Sequence, residues 1–233
     1  MSIAENIKDV RERIASACLK VNRNPQEVEL VAVSKYVPLQ RVVEAIDAGI
    51  TIVGENRVQE AWRKYQEIQN RVRWHIIGHL QTNKVKRALQ FAEMIQSVDS
   101  LHLAKEIQLQ AGKQDRDVDV LIQVNTSGET SKFGFSPDEV VDAVGAILEL
   151  DHLHVKGFMT IGAFSSDANV VRACFALLRK IKDELNQSSD GKKVFTELSM
   201  GMTNDFELAI EEGATMIRVG RLIFGERPSV SFT

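Results

Sequence analysis

Short apolar runs rich in β-branched residues alternate along the chain with longer stretches of helical spacing. The runs cover 28–35, 51–56, 74–80, 94–99, 118–126, 154–162, 195–201 and 215–225. Runs of this length and composition read as strands buried on both faces. Between them, Val42, Val43 and Ile46 make one helical stripe, and Val140, Val141, Val144, Ile147 and Leu148 make another. Ser136-Pro137-Asp138-Glu139 predicts the start of that second helix, with Ser136 as N-cap, Pro137 at N1 and Glu139 closing a capping box. Ile3, Ile7, Val10, Ile14 and Cys18 predict a further helix over residues 3–21, ahead of the first strand.

Eight strands, the first seven each followed by a helix, predict a single α/β domain over residues 1–233. The architecture is a (β/α)8 TIM-type barrel with an extra N-terminal helix. The stretch after Gly225 is too short for an ordinary eighth helix. A doubly wound open sheet is the second architecture that this alternation allows.

Composition narrows the function classes. Hydrophobic residues make up 44% and charged residues 26% of the 233 residues, as in an ordinary folded domain. A formal net charge of −3 gives no field to recruit nucleic acid or an acidic membrane. Two cysteines do not make a disulfide framework, and the charged, amphipathic N-terminus does not read as a signal peptide. A cytoplasmic protein is expected, without nucleic-acid or membrane partners. The five histidines lack metal-ligand spacing, so no metal site is expected.

In a barrel of this kind the ligand site lies at the C-terminal ends of the strands. Lys35 ends the run Leu30-Val31-Ala32-Val33-Ser34. If it points inward, Val31 and Val33 do too, while Ala32 and Ser34 face the helices. A partly desolvated amine there is poised to attack a carbonyl; the other reading is a lysine that simply ends a strand and snorkels into water. Ser199-Met200-Gly201-Met202-Thr203 leads into a helix over 204–212, and Gly220 ends the next strand. Two such turns either bind phosphate through backbone N–H groups or are plain tight turns, and Asp205 weighs against an anion. Arg218, inward on the last strand, needs a partner: an internal carboxylate, with Glu197 in the right parity, or a ligand ring nitrogen.

These residues fall into a pattern that resembles the pyridoxal phosphate homeostasis proteins, a family with the alanine-racemase-like N-terminal domain. The matching stretches include Val31-Ala32-Val33-Ser34-Lys35, Gly54-Glu55-Asn56 with Val58-Gln59-Glu60, and Trp74-His75 with Ile77-Gly78. Further on come Gln123-Val124-Asn125, Gly157 with Met159, Gly201-Met202-Thr203, and Arg218 with Gly220 and Ile223-Phe224-Gly225. The resemblance implies pyridoxal 5′-phosphate as cofactor, held as a Schiff base on Lys35. It implies phosphate-binding turns at Ser199, Gly201, Met202, Thr203 and Gly220, Arg218 opposite the pyridine nitrogen, and Asn56 and Met159 lining the pocket. It also implies a role in vitamin B6 homeostasis with no committed reaction and no catalytic residue, with apo pyridoxal-phosphate enzymes as acceptors; a monomer is expected.

The chain departs from the family pattern at Thr203, where serine is usual, at Phe133, where a small residue follows the lysine, and at Arg221, where a small residue is frequent. The alternative is a pyridoxal-phosphate amino-acid racemase. Against it, an arginine opposite the ring nitrogen disfavours its protonation and weakens the ring as an electron sink. A racemase also needs a second acid, which alanine racemases take from a further domain, and the sequence up to Thr233 leaves no room for one. Only Tyr36 and Tyr65 carry a phenol.

Overall fold

A computed structural model describes residues 2–188 and 194–225. Eight parallel strands close into a barrel in sequence order: β1 (Glu29–Val33), β2 (Ile52–Glu55), β3 (Arg73–Ile76), β4 (Met94–Val98), β5 (Val118–Gln123), β6 (Leu153–Met159), β7 (Glu197–Ser199) and β8 (Met216–Val219). Closure runs through β8 and β1, where Val31 pairs with Arg218 and Ala32 with Val219. The TIM-type barrel is confirmed, and the open doubly wound sheet is excluded.

The helices are α1 (Ile3–Lys20), α2 (Leu39–Asp47), α3 (Val58–Ile68), α4 (Val85–Ala88), α5 (Leu101–Gly112), α6 (Val140–Leu148), α7 (Ala168–Ser188), α8 (Phe206–Glu211) and α9 (Arg221–Phe224). Helix α1 is the predicted extra helix. Ser2 caps it, with Glu5 completing a capping box, and it buries the predicted stripe. It seals the outside of the barrel's closing seam: Asn6 donates to the Ile223 carbonyl (2.9 Å), and Arg13 bonds Glu207 (2.8 Å).

Apolar side chains sort by strand parity into two layers. A small interior cluster holds Val31, Ile52, Met94, Leu121, Met159 and Met216. The larger cluster, between strands and helices, holds the alternate positions, such as Ala32, Val53, Ile76 and Ile217. A barrel interior filled this way is a packed plug, so a ligand can enter only from the rim.

Two local readings differ from the structure. The run 215–225 is not one strand: it breaks at Gly220 into β8 and α9, because the Ile223 and Phe224 amides turn back to the Gly220 carbonyl. Helix α6 starts at Val140, four residues after Ser136. Glu139 does accept from the Ser136 amide (3.3 Å) and hydroxyl (2.7 Å), but this closes a turn ahead of the helix. The stretch beyond Gly225 lies outside the described residues.

Candidate cofactor site

Lys35 follows the end of β1 in a tight turn and is half-buried. Val31 lies in the barrel interior and Ala32 outside it. The Ser34 side chain turns outward to Glu55 and to Lys64 on α3. The alternation expected from the sequence therefore holds from Val31 through Ser34, and Lys35 follows in the turn beyond the strand. On the next strand, Asn56 stands level with Lys35, since each lies two residues beyond the register pair Val33 and Gly54. On the other side, Gly220 ends β8 directly against β1. A Cβ at Gly220 would come 3.1 Å from the Val33 carbonyl oxygen, which explains a glycine at a position with an ordinary negative φ.

Arg218 is buried, 5% exposed, beneath this rim. Its Nη2 donates to the Thr160 carbonyl and its Nη1 to the Ser199 hydroxyl, both at 2.6 Å. Burial lowers its pKa to about 10, and Asp205 nearby opposes that shift, so the guanidinium is charged at neutral pH. Among the described residues it makes no ion pair. The internal partner considered from the sequence is not used: Glu197 accepts instead from Thr215 Oγ1 (2.6 Å).

The hydrogen bonds leading away from Arg218 have a forced direction. Arginine only donates, so Ser199 accepts and gives its own proton to Gln96 Oε1 (2.6 Å). The Gln96 amide nitrogen then faces His75 Nδ1 at 2.8 Å, which must be the acceptor, and His75 carries its hydrogen on Nε2. That Nε2 is buried without a partner among the described residues. Burial, and secondarily Arg73, lowers the His75 pKa to about 3, which keeps the ring neutral. His75 and Gln96 were missed as part of the site. Their signal was a polar residue at inward parity within an otherwise apolar strand.

Ser199 therefore lies under the turn that follows β7, not on it. It is fully buried, and its hydroxyl serves Arg218 and Gln96. Gly201 makes the turn itself, with φ +89 and with Ala209 and Phe206 so close that no side chain fits. Asp205 accepts from the Met202 amide (2.6 Å), which spends that donor internally. The amides of Asp205 and Phe206 return to the Met202 carbonyl, and none of these closing bonds uses the Thr203 or Asn204 N–H. Thr203, with its hydroxyl, and the half-exposed Met202 thus sit at the rim. Arg221 reaches from the neighbouring turn toward Asn204 Oδ1 (3.4 Å), so the two turns are linked by a cation.

Met159, at the end of β6, is fully buried in the interior cluster and forms the floor beside Ser199, with which it is paired. Phe133 stacks on His79, ring centroids 3.9 Å apart, and His79 bonds Asp99 (2.6 Å). Lys132 donates to the Gly162 carbonyl (2.5 Å), tying the loops after β5 and β6 together. Of the two phenols, Tyr65 packs with Trp62, Trp74 and Phe91 outside the barrel, while Tyr36 is exposed beside Lys35.

The model for the N-terminal domain of alanine racemase matches residues 2–228. A pyridoxal phosphate homeostasis protein of Aquifex aeolicus is 42% identical over 228 residues, which are 97% of this chain and 99% of that protein. PipY of Synechococcus elongatus, solved with PLP bound, is 35% identical over 96% of this chain and 100% of its own, at a TM-score of 0.83. An alanine racemase of Clostridium difficile shares the fold at a TM-score of 0.75 and 15% identity, matching 97% of this chain but only 58% of the racemase. On these likenesses, and with the barrel they share, the chain belongs to the pyridoxal phosphate homeostasis protein family, built on the alanine racemase N-terminal domain.

Proposed function

We propose that the barrel mouth holds pyridoxal 5′-phosphate, attached through Lys35, and that the protein keeps and releases this cofactor without a committed reaction of its own. The observation that carries the reading is Arg218: a buried, charged guanidinium whose hydrogen-bond partners are a hydroxyl and a carbonyl. A ring nitrogen that accepts a hydrogen bond suits an N–H of such a cation, and a protonated one does not. The relatives named above bear on the same cofactor.

Lys35 supplies the amine, Asn56 and Met159 border the ring, and the turns at Gly201, Met202, Thr203 and Gly220 receive the phosphate. Thr203 and Asn204 offer backbone N–H groups and Arg221 a nearby positive charge, all suited to a dianion. When bound, the cofactor brings an aldehyde that condenses with amines and a ring able to withdraw electrons. Arg218 holds the ring nitrogen unprotonated and so restrains the second property. Among the described residues, no helix is long and apolar enough to cross a membrane.

The decisive experiment is borohydride reduction of the protein loaded with pyridoxal 5′-phosphate, followed by mass analysis. A stoichiometric label at Lys35, lost in Lys35→Ala, is the expected result; a label elsewhere defeats the assignment. Mixing the loaded protein with an apo pyridoxal-phosphate enzyme, with free cofactor scavenged, tests release. Recovery of the acceptor's activity is expected. No recovery, together with amino-acid racemisation at about 1 s⁻¹ or more, would favour an enzyme instead.

A further inference from the structure

Beneath Lys35, on the helix side of β1, lies a charged cluster whose side chains are not among those assigned to the cofactor. The Lys64 ammonium donates to the Ser34 carbonyl (2.6 Å), to Glu55 (2.6 Å) and to Glu60 (2.9 Å). The Ser34 hydroxyl donates to the same Glu55 oxygen. Glu60 in turn accepts from the Tyr36 amide at 2.6 Å. The residues on both sides of Lys35 are therefore fastened to one lysine and two carboxylates carried by β2 and α3. Tyr36 stands at φ +64, a left-handed conformation that residues other than glycine adopt only under constraint.

The cluster is poorly explained as a device for stability. Glu55 is fully buried and Lys64 is 7% exposed. The second Glu55 oxygen has no partner among the described residues, and burial pushes the carboxyl above its ordinary range. The desolvation cost of a buried pair like this offsets most of its attraction, and apolar replacements are often neutral. What the cluster does provide is a fixed backbone at one turn.

We propose that Lys64, with Glu55 and Glu60, is a positioning group for Lys35: it clamps the turn on both sides so that the Lys35 amine meets the cofactor's carbonyl carbon in a single geometry. This rests on the reading of Lys35 as the attachment residue. Attachment joins amine and aldehyde with loss of water, and its rate depends on the approach of the two groups, whereas the phosphate turns follow β7 and β8, away from β2 and α3.

The test separates those two quantities. Glu55→Gln/Lys64→Met removes both buried charges at nearly constant volume, and Glu60→Ala removes the Tyr36 anchor without entering the buried pair. For each, the rate constant of attachment is followed by the imine absorbance. Affinity is measured for pyridoxine 5′-phosphate, which has no aldehyde. Attachment should slow by about tenfold or more in the double variant and by about threefold or more in Glu60→Ala. Pyridoxine 5′-phosphate should bind within about twofold of the parent in both. Lys64→Arg, which keeps the charge, should recover part of the rate. Unchanged attachment in Glu60→Ala overturns the clamp, as does a parallel loss of attachment and pyridoxine 5′-phosphate binding in whichever variants fold. Retention of a stoichiometric label in Lys35→Ala defeats instead the assignment of Lys35.

Discussion

Arg218 donates from Nη1 to the Ser199 hydroxyl at 2.6 Å, and this bond attaches the serine to the arginine rather than to the turn above it. Losing one hydrogen bond to a charged group costs about 1.5–3 kcal/mol. Ser199→Ala should therefore weaken pyridoxal 5′-phosphate and unphosphorylated pyridoxal equally, since both present the same ring. Parallel titrations of the two vitamers check this; a loss confined to the phosphorylated one would return Ser199 to the phosphate turn.

Thr203 gives the complementary pattern. Its hydroxyl stands at the rim, where the closing bonds of the turn leave its N–H unused. Thr203→Ala should lower affinity for pyridoxal 5′-phosphate by about tenfold, or about 1.4 kcal/mol, and leave pyridoxal unchanged. Thr203→Ser should retain full affinity. Calorimetric titration of the four combinations is the measurement.

The two turn glycines should differ in the harm done by alanine. At Gly201 a Cβ would meet Ala209 Cβ at 2.5 Å and the backbone sits at φ +89, so Gly201→Ala should cost upwards of about 2 kcal/mol. At Gly220 φ is negative and the nearest atom, the Val33 oxygen, is 3.1 Å away, so Gly220→Ala should cost about 1 kcal/mol. Chemical denaturation ranks the two, and equal losses would contradict the argument.

Histidine 75 predicts an acid limb of stability. The unfolded chain takes up a proton at this ring near its ordinary value of about 6.5. Burial keeps the folded ring neutral down to about pH 3. A base whose folded pKa is depressed contributes stability above the unfolded value and loses it as pH falls through the window from about 6.5 to about 3, at about 1.4 kcal/mol per unit. Between pH 7 and pH 5, His75→Gln should therefore lose about 2 kcal/mol less than the parent. Urea midpoints at the two pH values give the comparison.

The barrel was legible in the sequence because each strand is a bounded apolar run, and the parity at Val31, Ala32 and Ser34 followed from strand geometry alone. The break at Gly220 was not, because Ile223 and Phe224 are as apolar as the strand they follow and bury against it in helical form. Ser199 was misplaced because its distance from Gly201 looked like one turn, whereas the strand ends on Ser199 and points it down the barrel. Gln96 and His75 could have been suspected as polar residues at inward positions. Lys64 could not: on its helix it looks like any solvated lysine, and only the fold brings it to Ser34.

The one-way order from Arg218 through Ser199 and Gln96 to His75 has an electrical consequence. A chain of hydroxyls or waters can pass a proton by successive hops, but a carboxamide in the middle cannot, since it would have to become an imidic acid. Gln96 thus acts as an insulator between Arg218 and His75. A proton at the mouth therefore does not reach His75 along this chain, and the neutral ring stays out of whatever titrates above it.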